Sequence, residues 1–345
     1  MNIVADERLA ALDTTFARHG TVHTLPGQDI ANQHLRDADA LIIRTVTRVD
    51  RDLLEGTPVR FVGTATIGFD HIDTRFLAEA GIEWANAPGC NADATAQFTL
   101  AMYLLACRRL GRDPLTQTFG VIGRGNVGGR LVQLLEALGV SSIACDPPLE
   151  MKGVEGLHPL HQVLECQAVS LHVPLSRQGQ FPTFEMINQD TFAVMPNRAL
   201  LINSSRGAVV SGPTLKAWMA KGGQAALDVW PGEPDIDATI LEGTTVATPH
   251  VAGYSLDGKS RASALVYRNF CEHFGLEAEG EIGASEPPPN PRLRGRALAD
   301  AVTEGIPLDD EDRAMRSLLD LAPGQRADAF HALRSNYPLR KDLVL

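Results

Sequence analysis

Gly123-Arg124-Gly125-Asn126-Val127-Gly128 follows the apolar run 118–122 and opens the helix-patterned stretch 127–138. This succession of strand, glycine-rich turn and helix decides the fold class. Within it, Gly123 permits a tight turn, Gly125 lets the backbone approach a pyrophosphate, and Gly128 allows the helix to pack closely on the strand. The helix N-terminus, with Asn126 and Val127 at its start, offers N–H groups to the anion. Asp146 ends the next predicted strand, 142–145. A carboxylate there can accept hydrogen bonds from ribose hydroxyls and repel a 2′-phosphate, so NAD is expected over NADP. Arg124 is expected to point to solvent or to the pyrophosphate.

Working outward, β-rich runs at 2–5, 21–25, 40–44, 60–64 and 83–86 precede a long helix predicted over 93–108. Further strands are predicted at 168–172, 199–203, 224–229 and 245–247, with helices between them. Strands alternating with helices imply parallel, doubly wound sheets. The 93–108 helix is apolar nearly all round, which places it in a core or a subunit interface. Composition changes at Glu286-Pro287-Pro288-Pro289-Asn290-Pro291, which reads as a stiff linker. Beyond it Met315, Leu318, Leu319 and Leu321 lie at helical spacing. So short a tail would bury little core alone, so it is expected to pack on another domain or another subunit.

Lys plus Arg number 31 against 42 Asp plus Glu, a net charge of −11, which argues against a partner bound through its phosphate backbone. The longest apolar run, near 100–106, falls short of the roughly 20 residues a membrane span needs, and no signal-like segment opens the chain. A cytoplasmic protein is expected. The 5 cysteines are widely spaced with no C-x-x-C pair, so reduced structural thiols and no metal site are expected.

Arg206, Glu233 and His250 fall just past the ends of three successive predicted strands. In an open α/β sheet the carboxyl ends of the strands face one crevice, where ligands bind. His250 can take a proton from a substrate hydroxyl, Glu233 can orient the imidazole, and Arg206 can grip a carboxylate through two parallel hydrogen bonds. With NAD alongside, this reads as hydride removal from a 2-hydroxy acid. His71 and His172 are the competing bases.

The G-x-G-x-x-G unit, Asn203-Ser204-Ser205-Arg206-Gly207, Leu227-Asp228-Val229-Trp230 with Gly232-Glu233-Pro234, and Thr248-Pro249-His250-Val251-Ala252-Gly253 together resemble the D-2-hydroxyacid dehydrogenases. The resemblance implies an α/β fold of two Rossmann-like doubly wound parallel-sheet domains plus a small C-terminal α+β dimerisation segment. It implies a flavodoxin-like substrate domain from residues 1–92 with 254–285, an NAD-binding Rossmann domain at 93–253, and a linker and dimerisation segment at 286–345. Arg206, Glu233 and His250 match the family's catalytic positions, and Asp228 the carboxylate near the nicotinamide amide. Arg44-Thr45-Val46-Thr47, Val62-Gly63-Thr64-Ala65-Thr66, Cys145-Asp146-Pro147-Pro148, the 252–259 segment and the 330–340 tail are similar to a homodimeric member that oxidises a phosphorylated four-carbon 2-hydroxy acid in pyridoxal 5′-phosphate (vitamin B6) synthesis. By that resemblance Thr45, Thr66 and Tyr254 contact substrate, while Val173, Ser204, Ser205 and Gly253 line the cofactor. Arg44 and Lys259 are cations near those positions that a phosphate could use. Two other readings stay open: a 3-phosphoglycerate or other D-2-hydroxyacid dehydrogenase, and an NADH-sensing binding module or corepressor.

Overall fold

Runs such as Ala40–Ile43 (Ala-Leu-Ile-Ile) and Leu200–Asn203 (Leu-Leu-Ile-Asn) are buried along their whole length. Strands apolar on both faces belong in parallel sheets covered on each side by helices. The computed structural model, which describes residues 1–278 and 290–345, has two such sheets in two units.

The first unit comprises Met1–Asn91 and Ser255–Glu286. Its strands β1 (Asn2–Asp6), β2 (Thr21–Leu25), β3 (Ala40–Ile43), β4 (Phe61–Thr64) and β5 (Glu83–Ala85) form a sheet in the order β2-β1-β3-β4-β5. All its pairings are parallel. This is the flavodoxin-like order, in which the direction of strand addition across the sheet reverses between β1 and β3. The helix Leu256–Phe274, capped by the Ser255 hydroxyl, buries Val266, Tyr267 and Phe270 against one face.

The second unit comprises Ala92–Tyr254 and Pro287–Leu345. Its strands β6 (Phe119–Ile122), β7 (Ser142–Cys145), β8 (Ala168–Leu171), β9 (Leu200–Asn203), β10 (Gln224–Leu227) and β11 (Val246–Ala247) form a parallel sheet in the order β11-β10-β9-β8-β6-β7. The order reverses between β6 and β8. The glycine-rich turn therefore stands at the point where such sheets bind ligands. The long helix, Ala92–Leu110, is a core helix: 15 of its residues are buried, and the helices Asn126–Leu138 and Gly295–Gly305 pack on it.

The tail explains that burial. Its helices Gly295–Gly305, Leu308–Arg316 and Pro323–Ser335 place Leu298, Val302, Ile306 and Leu308 in the core on one face of the six-stranded sheet, and Met315, Leu318 and Phe330 in the core on the other. Between them it closes the β11 edge. The Ala247 N–H donates to Asp312 Oδ1 at 2.8 Å, and Asp312 Oδ2 accepts from Arg109 at 2.8 Å and Arg316 at 3.0 Å. An otherwise unpaired strand edge is covered. The tail, expected as an α+β segment, is mostly helical, because its apolar residues recur at helical spacing, and carries, among the described residues, a single β-bridge residue at Arg340. Residues 286–289 of the expected proline linker lie outside the described residues. All five cysteines are buried, and none is in a disulfide.

Candidate active site

The three motif glycines have three different environments. Gly123 has φ +89°, and a Cβ on it would lie 2.5 Å from the His172 carbonyl oxygen. A Cβ on Gly128 would meet the Gly123 carbonyl oxygen. A Cβ on Gly125 would meet nothing within 4 Å, so the open side of the turn is where a pyrophosphate can approach. Gly125 caps the Asn126–Leu138 helix without a side-chain hydrogen bond, which leaves its first N–H groups for an anion. Asp146 follows β7; its Oδ2 accepts from the Arg124 N–H at 2.8 Å and its Oδ1 from Leu149 N–H at 3.1 Å. It therefore ties the loop to the neighbouring strand, and each oxygen keeps a lone pair for a ribose hydroxyl. The Arg124 side chain, expected at solvent or the pyrophosphate, makes a solvent-exposed hydrogen bond to the Glu155 carbonyl at 3.2 Å. Val173 packs beside Gly123 at the switch point.

At the carboxyl ends of β9, β10 and β11 the expected catalytic residues come together. His250 Nδ1 lies 2.6 Å from Glu233 Oε1, and Glu233 Oε2 accepts from the Trp230 N–H at 3.0 Å. Burial pushes the Glu233 carboxyl up, but the His250 hydrogen bond and charge, the Trp230 N–H and the Arg334 charge outweigh it, and the net shift is downward. A carboxylate at Nδ1 fixes that nitrogen as the donor, leaving Nε2 to accept a proton. His250 itself has φ +59°, a left-handed conformation that costs a non-glycine residue about 1–3 kcal/mol unless its surroundings impose it. Its surroundings do. Asp228, 1% exposed, accepts from the Thr248 hydroxyl at 2.7 Å and from the N–H groups of Val251 and Ala252 at 2.9 and 3.0 Å.

Arg206 leaves β9 through a turn built by Asn203, whose Nδ2 donates to the Arg206 carbonyl at 3.0 Å while its Oδ1 accepts from Ser205 N–H and hydroxyl. The guanidinium donates to the Ser205 carbonyl at 2.8 Å. The Ser204 hydroxyl meets Thr99 at 2.8 Å. Asn203 was not foreseen, although an Asn ending a strand before Ser-Ser-Arg-Gly is a turn signal. Desolvation pushes the competing His172 imidazole down to about 3, so it cannot take up a proton near neutral pH.

In the first unit, Asp6 and Arg44 stand at the carboxyl ends of β1 and β3, the switch point of that sheet. Arg44 Nη2 lies 3.0 and 2.8 Å from the two oxygens of the fully buried Asp6. Burial lowers the Lys259 pKa, and the charges of Arg44 and Arg8 lower it further, against Asp6. Arg44 is thus paired with Asp6, and the charges of Arg44, Arg8 and Asp6 all reach Lys259. Thr45 is exposed beside Arg44, and the Thr66 hydroxyl bonds Thr64 at 2.8 Å, which in turn meets His71 at 3.0 Å. The second unit's Tyr254 packs edge-on to Tyr337 of the tail.

Residues 102–252 match the family profile of the D-isomer specific 2-hydroxyacid dehydrogenase, NAD binding domain. The erythronate-4-phosphate dehydrogenase of Hahella chejuensis is 39% identical over 351 residues, covering 99% of this chain and 92% of the relative. That of Pseudomonas entomophila is 41% identical over 357 residues, covering 99% and 92%. The chain belongs to the D-isomer-specific 2-hydroxyacid dehydrogenase family. Its cofactor is NAD, and the glycine turn, the helix N-terminus and Asp146 are the groups of this dehydrogenase that fit it. Among solved structures, the NAD+-bound 3-phosphoglycerate dehydrogenase of Entamoeba histolytica superposes with a TM-score of 0.71 at 21% identity, over 83% of this chain and 99% of that one. The D-lactate dehydrogenase of Aquifex aeolicus gives 0.66 at 23% identity, over 80% and 96%. These two share the fold. Among the described residues, no helix is long and apolar enough to cross a membrane.

Proposed function

We propose that this dehydrogenase oxidises 4-phospho-D-erythronate to (R)-3-hydroxy-2-oxo-4-phosphooxybutanoate in pyridoxal 5′-phosphate biosynthesis, working in the cytoplasm as a homodimer. The 2.6 Å contact between His250 Nδ1 and Glu233 carries the chemistry of the reading. His250 Nε2 takes the C2 hydroxyl proton as the C2–H bond breaks. The electron pair of that bond leaves as hydride, the C2–O bond becomes a carbonyl, and Glu233 stabilises the imidazolium. Bound NAD+ supplies the hydride acceptor. Arg206 grips the substrate carboxylate by paired hydrogen bonds. Thr45, Thr66 and Tyr254 contact the substrate, and Asp146, Val173, Ser204, Ser205, Asp228 and Gly253 line the cofactor.

Substrate choice rests on the phosphate, which goes to Arg44 and Lys259, with Arg8 as a third cation. The mutual repulsion of Arg44, Arg8 and Lys259 supports this, since a dianion bound among them relieves it. The intact Arg206, Glu233 and His250 set favours an enzyme over a corepressor. The experiment is NADH formation by the purified chain with 4-phosphoerythronate, 3-phosphoglycerate and unphosphorylated erythronate side by side. The reading expects the first to be preferred and the last to be poor. Equal rates on erythronate and its phosphate would remove the phosphate from the account.

A further inference from the structure

The geometry points to Arg340, in the C-terminal tail, as a positioning residue for His250. The inference rests on His250 being the base. Asp228 holds the His250 loop from one side through N–H groups; Arg340 holds the same residues through their carbonyls. Its Nη1 donates to Val251 at 3.2 Å and Tyr254 at 3.0 Å, and its Nη2 donates to Ala94 at 3.1 Å and to Ala252. The guanidinium lies 4.9 Å from the centre of the Phe98 ring. Val251 and Ala252 therefore have their N–H groups on an anion and their carbonyls on a cation. The residue just before this clamp is His250, at φ +59° with its imidazole on Glu233.

A backbone in that conformation persists only where its neighbours over-determine it. Removing the guanidinium takes one donor from each of three loop carbonyls, of which Val251 keeps the Tyr254 N–H at 2.9 Å, and lets His250 relax toward negative φ, which draws Nδ1 away from Glu233. A lysine cannot substitute, because a single ammonium has no planar fork to span four carbonyls. The tail is anchored near its end independently of Arg340. Gln97 Nε2 donates to the Leu343 carbonyl and Leu343 N–H donates to Gln97 Oε1, both at 2.9 Å, and Leu345 is buried. Gln97→Ala thus loosens the tail without touching the loop, and separates attachment from positioning.

The test uses full-length Arg340→Ala, Arg340→Lys and Gln97→Ala, with turnover, NADH affinity, thermal midpoint and the pH profile of kcat/KM measured for each. Arg340→Ala should lose at least tenfold in kcat with NADH affinity unchanged. Its acid limb should move to lower pH, in the direction expected of Glu233→Gln, and millimolar guanidinium should restore part of the rate. Arg340→Lys should share the loss and the shifted limb, while Gln97→Ala keeps wild-type kcat. A lowered thermal midpoint with kcat and acid limb unmoved would overturn the inference, as would Gln97→Ala matching Arg340→Ala. Should Arg340→Ala fail to fold, Arg340→Lys decides: wild-type kcat in it overturns the inference. If His250→Ala retains full turnover, the base lies elsewhere and the reading beneath has failed; if it does not, an unaffected Arg340 variant refutes the positioning role alone.

Discussion

Phe330→Ala probes whether the tail is part of the NAD-binding unit of its own chain. Phe330 is completely buried in the same apolar cluster as Met315, Leu318, Trp218 and Trp230. Truncating a buried phenylalanine removes its transfer free energy and leaves a cavity, together about 3–5 kcal/mol. Against the ~5–15 kcal/mol that holds a typical domain, that is a large share. The two tryptophans of the cluster report unfolding by fluorescence in urea, and the variant should lose about 3–5 kcal/mol. Because the burial is within one chain, the loss should be the same at protein concentrations a hundredfold apart. A loss under about 1 kcal/mol, or one that vanishes at high concentration, would refute the reasoning and place the segment's apolar face in an intersubunit contact. The same arithmetic bears on truncation before Asn290. It would remove the buried side chains of Leu298, Val302, Ile306, Leu308, Met315, Leu318, Phe330 and Leu345 and uncover the core they pack against. At about 1.5–3 kcal/mol each, that exceeds the stability of an ordinary domain, so the truncated chain should be insoluble rather than a folded monomer.

His250→Ala should lower turnover by about 10²- to 10⁴-fold while NADH still binds, and fluorescence titration beside steady-state rates checks it. Glu233→Gln should move the acid limb of the rate profile to lower pH, since a protonated imidazole loses its carboxylate partner; an unmoved limb would uncouple Glu233 from the base. The lowered Glu233 pKa also fixes a sign for stability. The wild-type advantage over Glu233→Gln is full above the unfolded value near 4.5 and shrinks as pH falls through the depressed folded value, which urea midpoints across that range would register. Asp146→Ala should weaken the preference for NAD over NADP, read from the ratio of kcat/KM for the two cofactors, and a wild type that prefers NADP would sink that assignment.

Strand positions were legible because parallel strands buried on both faces read as short apolar runs, and Gly123-Arg124-Gly125-Asn126-Val127-Gly128 carried its own context. The strand observed at Leu200–Asn203 and the helix at Ala92–Leu110 differ from expectation only at their ends. His250 and Glu233 were legible because each follows a strand end by a few residues, and adjacent parallel strands bring their carboxyl ends together. The docking of the tail was not. Helical spacing of Met315 and Leu318 says that a face is apolar, but not which surface covers it. Arg340, and the part Asp228 plays in holding the loop, were opaque for a related reason: each acts on backbone groups of the 248–254 loop, and backbone groups leave no residue-type signal in a sequence. Asp6 shows the same limit, since a carboxylate at the end of β1 acquires meaning only when β3 brings Arg44 beside it.

The most direct test of the central claim is the initial rate of NADH formation with 4-phosphoerythronate for the wild type, Arg44→Ala and His250→Ala at matched NAD+. The account predicts robust wild-type turnover, a KM raised at least tenfold in Arg44→Ala with kcat largely kept, and kcat lost in His250→Ala with KM little changed. No NADH from 4-phosphoerythronate under conditions where 3-phosphoglycerate or an unphosphorylated 2-hydroxy acid is turned over would contradict it.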